Sequence, residues 1–197
     1  MKLYGTPTSP YVRRVRVLAK ELGLACHLVD VRDDEGQAEL RRHSPIWKIP
    51  VAVIEGRTLF DSHTITDFLT EQHGFGPLRP VKDLVEERNF IHVCDGALDA
   101  GIRVFYAKRD GLSGDVPFLV KERARLASCM QWLDESLHGG FCTVEEGFGL
   151  AEIALATTLD WMRFRQAYDV DSCSHLAAFA WAHKDRASLA ETMPSES

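Results

Sequence analysis

The chain has 197 residues, 45% hydrophobic and 26% charged, with 23 basic against 29 acidic residues and a net charge of −6. These values exclude a disordered chain, a collagen-like repeat and a disulfide miniprotein, and the length suits one large or two small domains with a real core. A mildly acidic chain has no global field to gather nucleic acid, so no nucleic-acid partner is expected.

The first strand is predicted over Met1 to Gly5, followed by a loop at Thr6-Pro7-Thr8-Ser9-Pro10, where two prolines and three hydroxyl residues punctuate the chain. From Tyr11 to Leu22 the apolar positions Val12, Val15, Ala19 and Leu22 stand three and four apart. This spacing predicts an amphipathic helix whose outer face carries Arg13, Arg14, Arg16 and Lys20, stopped by Gly23. A second strand follows at Ala25 to Val31 and a weaker helical stretch at Gly36 to Arg42. Then comes HSPIWKIP, and after Pro50 a hairpin is predicted with strands Val51–Ile54 and Thr58–Phe60 around the turn Glu55-Gly56-Arg57. Asp61 or Ser62 caps a helix that runs to about His73.

Strand, helix, strand, helix, hairpin and helix in this order make an α/β unit, expected over 1–75, with a Gly- and Pro-rich linker at 76–82. Beyond it, over 83–197, only helical spacing is found. One helix runs through Leu84, Ile91, Cys94, Leu98, Ile102 and Phe105, and another, after the break at Gly111–Asp115, through Leu119, Ala127, Met130, Leu133 and Leu137. Leu150 to Phe164 is apolar on nearly every side and is expected at the centre of a helical bundle. The polar tail, Ala190 to Ser197, is expected to fray.

The N-terminus, MKLYGTPTSPYV, lacks the long apolar core of a secretory signal, and no stretch stays apolar for the roughly 18 residues of a membrane helix. A cytoplasmic location and no membrane partner are expected. Cys26, Cys94, Cys129, Cys142 and Cys173 form no CxxC pair and read as reduced packing thiols. The eight histidines form no HxxxH or HExxH pattern, so no metal is expected.

Three short constellations carry chemistry. Ser9 stands where a loop enters a basic helix, and helix N-termini favour an anion such as a thiolate or carboxylate; alone, Ser9 reads first as a helix cap. Lys48-Ile49-Pro50 precedes a strand, and a cis Ile49–Pro50 bond would turn the Ile49 N–H and C=O outward for an extended peptide to pair with, although only about one X–Pro bond in twenty is cis. Asp61-Ser62 opens a helix whose first N–H groups and serine hydroxyl suit a carboxylate, with Asp61 suited to an ammonium; alone it reads as a capping pair.

In order, MKLYG…TSPYVRRVR, SPIWKIPV and LFDSHTITDFL, followed by a break and an all-helical half, resemble the cytosolic glutathione transferase superfamily, and most of all small bacterial glutathione transferase-like proteins with a TSP first loop. The resemblance spans essentially the whole chain and is strongest over Met1 to Leu69. It implies a thioredoxin-like N-terminal domain that binds glutathione as co-substrate, followed by an all-helical domain. It also implies a cis Pro50, Ile49 pairing with the cysteinyl part of glutathione, Asp61 and Ser62 at its γ-glutamyl end, and Lys48 near its glycyl carboxylate. Ser9 is then the catalytic hydroxyl. Tyr4 and Tyr11 are rival hydroxyl donors, with Tyr11, Phe105 and Tyr106 as candidate contacts of a hydrophobic electrophile.

SPYV stands where thiol reductases of related fold carry a CPYC-type motif, so a glutaredoxin-like or omega-like reductase is disfavoured, and the cysteine of the zeta-type SSC motif is missing as well. The segment GLAEIALATTLDWMRFR is similar to the family's buried helix but has Gly149 in place of the capping Ser or Thr, a loss of roughly 1 kcal/mol. Energetically a serine suffices. Lowering a thiol from about 8.5 by roughly two units, so that it is mostly thiolate at neutral pH, takes about 2.7 kcal/mol. A hydrogen bond to a charged sulfur at ~1.5–3 kcal/mol and a helix end at ~0.3–1 kcal/mol cover it. The resemblance thus implies a homodimeric glutathione S-transferase acting on a hydrophobic electrophile. The alternatives are a non-catalytic, starvation-protein-like interaction protein and a glutathione-dependent dehalogenase or peroxidase. Trp47, where many relatives have glycine, is a candidate for narrowing the site.

Overall fold

The computed structural model describes Met1 to Ser195. Two compact units result: Met1–Leu78 together with the segment from Arg186 onward, and Arg79–Asp185.

The first unit runs β1 (Lys2–Gly5), α1 (Pro10–Glu21), β2 (His27–Asp30), α2 (Asp34–His43), β3 (Val51–Ile54), β4 (Arg57–Phe60) and α3 (Ser62–His73). Its four strands form one mixed sheet in the order β2-β1-β3-β4, with β1 parallel to β2 and antiparallel to β3. This is the expected thioredoxin-like βαβαββα fold. The hairpin between β3 and β4 turns at Glu55 and Gly56, with φ of 51° and 79°, the left-handed pair that matches the twist of its strands.

The two faces of the sheet follow from the alternation of side chains along each strand. Tyr4, Val29, Val51, Val53 and Phe60 share one face and pack with Leu40 of α2. Leu3 and Ala52, fully buried, point to the other, where α1 packs on β1 and α3 on β4.

Two expectations are corrected in this unit. Arg13 and Arg14 do not lie on an outer face: they are 2% and 3% exposed. Polar acceptors inside the fold make this tolerable, since Arg13 Nη2 donates to Leu189 O at 3.1 Å and its Nε to Thr192 Oγ1 at 3.3 Å. The same bonds correct the tail. Instead of fraying from Ala190, the chain forms α8 (Ala187–Ala190) and then buries Thr192; the tail's last two residues, Glu196 and Ser197, lie outside the described residues. The helical region expected over 83–197 therefore gives up the segment from Arg186 to the first unit, which Arg186 joins through bonds of 2.7 and 2.8 Å to the Glu21 carboxylate.

The second unit comprises α4 (Leu84–Arg109), α5 (Pro117–Glu135), α6 (Leu150–Phe164), a 3₁₀ turn (Val170–Ser172) and α7 (Ser174–His183). Helix α6 is its centre, buried at every residue from Leu150 to Leu159. Two residues assigned to α5 by spacing are placed otherwise. Ala127 is exposed, and Leu137 lies beyond the helix, which ends as Ser136 N donates to Trp132 O.

The missing hydroxyl cap of α6 is replaced by carboxylates. Glu152 accepts from Gly149 N at 2.8 Å and from Cys142 N at 2.9 Å, and Glu87 accepts from Ala151 N at 2.8 Å. Arg79 Nη2 spans both carboxylates at 2.8 and 3.2 Å, so this buried set carries two negative charges, one positive charge and the positive end of a helix dipole.

Candidate functional site

Strand register brings the three constellations to one end of the sheet. Tyr4 pairs with Val51 and Val51 with Phe60. In antiparallel neighbours the end of one strand lies beside the start of the next. The loop after β1, the Ile49–Pro50 segment before β3 and the Asp61–Ser62 segment after β4 therefore emerge together. A bond from Arg14 Nη1 to Ser62 Oγ, 3.3 Å long, joins α1 to α3 beside them.

Ser9 is the N-cap of α1. It has extended backbone, donates its amide to Thr6 O at 3.2 Å, and accepts at Oγ from Val12 N at 3.3 Å. Pro10 follows at the first helical position, where its fixed φ suits the turn and no N–H is lost. Gly5 lets this loop leave the strand, because a β-carbon there would meet the Val12 side chain at 2.3 Å. A hydroxyl has two acceptor lone pairs and one proton. Capping uses a lone pair of Ser9 and leaves the proton to donate, so the cap and the activating hydroxyl are compatible roles for one atom.

The Ile49–Pro50 peptide is cis. Pro50 is buried, Ile49 packs against the Tyr4 cluster, and Lys48 is exposed. Trp47 has a φ of 52°, a left-handed conformation that suits glycine, and stands 60% exposed with the Arg41 guanidinium 4.8 Å from its ring centre.

Asp61 has a φ of 72° and ψ of 144°, a region sparsely populated by residues with a side chain. It is exposed and accepts from His63 N at 2.8 Å, while Ser62 beside it is 1% exposed. Strain of this kind gathers at functional sites. Arg14, which holds the Ser62 hydroxyl and lies 5.5 Å over the Tyr11 ring, was missed as a site residue. The only signal for it was a run of cations, RRVR, in a helix otherwise rich in valine.

The rival tyrosines separate. Tyr4 is 1% exposed and stacks on His43 at 5.0 Å inside the core, where burial pushes its phenol up. Tyr11 is half-buried on α1, two residues after Ser9. In the second unit, Phe105 is half-buried, edge-on to Trp161 at 6.2 Å, and lines a cavity of about 650 Å³. Tyr106 is 47% exposed beneath the Arg109 guanidinium.

Burial pushes the thiols of Cys142, Cys129 and Cys26 up, away from thiolate character. Among the described residues no three His, Cys, Asp or Glu side chains gather as a metal would require, and no helix is long and apolar enough to cross a membrane.

A thioredoxin-like sheet followed by an all-helical unit is the architecture of the glutathione transferases. Residues 3–79 match the model of the glutathione S-transferase N-terminal domain. The chain is 28% identical over 202 residues to the uncharacterized GST-like protein YibF of Escherichia coli strain K12, a match covering 98% of each chain. It superposes with a TM-score of 0.85 on a glutathione S-transferase of Methylobacillus flagellatus solved with glutathione bound, 29% identical, over 98% of this chain and 99% of that one. The same score is found against a glutathione S-transferase of Methylobacterium radiotolerans in complex with glutathione sulfonate, 27% identical, over 100% and 95%. Residues 3–79 thus match the glutathione S-transferase N-terminal domain, and the chain as a whole is similar in fold to solved glutathione S-transferases.

Proposed function

We propose that the protein is a glutathione S-transferase that binds glutathione at the sheet end of the first unit and uses Ser9 to hold its sulfur as the thiolate. The observation that carries this is the register-driven meeting of the Ser9 loop, Ile49–Pro50 and Asp61–Ser62 at one edge, with the Ser9 proton still free to donate.

The residues present fit the tripeptide. Ile49 offers its main chain to the cysteinyl part. The Ser62 hydroxyl and the start of α3 take the γ-glutamyl carboxylate while Asp61 takes its ammonium, and the exposed Lys48 takes the glycyl carboxylate. Ser9 donates to the sulfur, and the positive end of the α1 dipole adds to that stabilisation. The thiolate lone pair then forms the S–C bond to an electrophilic carbon, and the leaving group departs with the electron pair of the bond that breaks. Tyr11, Phe105 and Tyr106 are proposed contacts of the electrophile. The likeness to glutathione S-transferases supports a cytoplasmic homodimer with a detoxifying role.

Calorimetric titration of glutathione into wild type and Ser9→Ala, with the thiolate absorbance followed against pH, tests the reading. Binding by wild type, with a higher thiol pKa on Ser9→Ala, supports it. Absence of binding at millimolar glutathione overturns it and leaves a transferase-shaped interaction protein.

A further inference from the structure

The loop that leads to Ile49 and Pro50 holds a conformation that folding alone does not explain. Trp47 takes a φ of 52°, a left-handed backbone that suits glycine, yet leaves 60% of its surface exposed. So little burial does not offset such a backbone, and the contact of its ring with the Arg41 guanidinium, 4.8 Å from the ring centre, is weak at an exposed position.

Arg41 and Lys48 are both exposed, and among the described residues neither has a carboxylate partner, although the chain carries a net charge of −6. The end of α2 does not account for Arg41. A helix C-terminus is worth roughly half a negative charge, and Arg42 stands in the same last turn. Leu40 and Ile49 pack in one cluster around Tyr4, so their chain neighbours Arg41 and Lys48 flank the same rim of the first unit, the rim from which the Ile49–Pro50 segment emerges.

We infer that Trp47 is a positioning residue: its ring holds the Arg41 guanidinium as a second cation beside Lys48, and the site thereby selects γ-glutamyl-cysteinyl peptides that end in a free carboxylate over those whose C-terminus is blocked. Resting on the transferase reading, this names the class of thiol that the site takes. A guanidinium held over a ring loses less freedom on binding than a mobile side chain, and its planar fork fits both oxygens of a carboxylate. The left-handed backbone at Trp47 is then strain kept for a ligand.

The test is calorimetry with glutathione and with its glycyl ethyl ester, which share the thiol and the γ-glutamyl end and differ in the charge at the other. Wild type is expected to bind glutathione roughly ten-fold more tightly than the ester, with a preference that shrinks as salt is raised. Trp47→Gly is expected to raise Tm, because glycine suits the backbone, and to weaken glutathione about three- to ten-fold while leaving the ester unchanged. Trp47→Phe keeps an aromatic face for Arg41 and should keep the preference. Arg41→Gln should lose it, and adding Trp47→Gly to Arg41→Gln should cost nothing more, since the indole acts through the guanidinium. Equal weakening of the two ligands by Trp47→Gly, an unchanged preference, or losses at Trp47 and Arg41 that add in full overturn the inference. Wild type binding both ligands equally sinks the selection alone and leaves the transferase reading standing, whereas wild type binding neither sinks the transferase reading and the inference with it.

Discussion

The first turns of α3 and α6 each present backbone N–H groups that no helical carbonyl can reach, and the chain treats the two differently. At α6, Gly149 N and Ala151 N donate to Glu152 and Glu87, both carboxylates are buried, and Arg79 holds them. At α3, an exposed Asp61 in a strained conformation takes His63 N, and a buried serine hydroxyl is held by an arginine from another helix. The α6 start is closed by the chain's own charges and serves the packing of its central helix. The α3 start keeps a carboxylate at the surface beside two other segments, where a ligand can use it. The same helix-end physics uses the chain's own carboxylates at both ends, buried with their cation at α6 and left exposed at α3.

The strongest way to break the closed end is Arg79→Met, which leaves two buried carboxylates without their cation. Urea unfolding is expected to show a loss of about 3–5 kcal/mol. A loss under about 1 kcal/mol would mean that the backbone donors alone hold the pair.

At the open end, Ser9→Ala is expected to lower kcat/KM for a chlorodinitrobenzene electrophile about ten- to a hundred-fold, matching a charged hydrogen bond of ~1.5–3 kcal/mol. Its effect on stability should stay near 1 kcal/mol, the value of one cap. Unchanged turnover with the same loss of stability would assign Ser9 to capping alone.

Asp61→Asn keeps an oxygen for His63 N and removes only the charge, so the Kd for glutathione should rise several-fold, about 1 kcal/mol, while Tm barely moves. Asp61→Gly should weaken glutathione as well but relieve the backbone, and the two variants compared by thermal unfolding would expose the strain at this position.

The smallest effect concerns pH. Burial pushes the Glu21 carboxyl up, but the hydrogen bonds from Arg186 and Ser188 outweigh it and hold the group below its ordinary value. Its stabilisation is therefore complete above the unfolded value of about 4.3 and is lost as pH falls through the lower folded value. Tm against pH should show a shallower acid limb for Glu21→Gln than for wild type.

What was legible in the sequence was local. The alternation around Leu3 and Tyr4, the Glu55-Gly56 turn, the Asp61-Ser62 helix start and the apolar run of α6 each act within a few residues and were found where the structure has them. Arg13 and Arg14 were misread because their burial depends on partners far away in the chain, Leu189 O and Thr192 Oγ1 for one and Ser62 Oγ for the other. Helices α7 and α8 were missed for a related reason: nothing in their short apolar pattern says which unit each joins. At the site, Ser9, Ile49, Pro50, Asp61 and Ser62 were individually ambiguous, since each is also an ordinary cap or turn residue. Only their order along the chain pointed to one ligand, and that came from family resemblance. Arg14 has no such motif and emerged from geometry.

The bonds from Arg13 to Leu189 and Thr192 span 176 and 179 residues, and those of Glu21 to Arg186 span 165. In sequence terms, the helical unit is an insertion within the first unit. During synthesis at about 5–20 residues per second, a buried guanidinium on α1 waits on the order of ten seconds for these acceptors to be made. The entropic cost of closing so long a loop grows only slowly with its length. The first unit is therefore completed only after the helical unit has been synthesised.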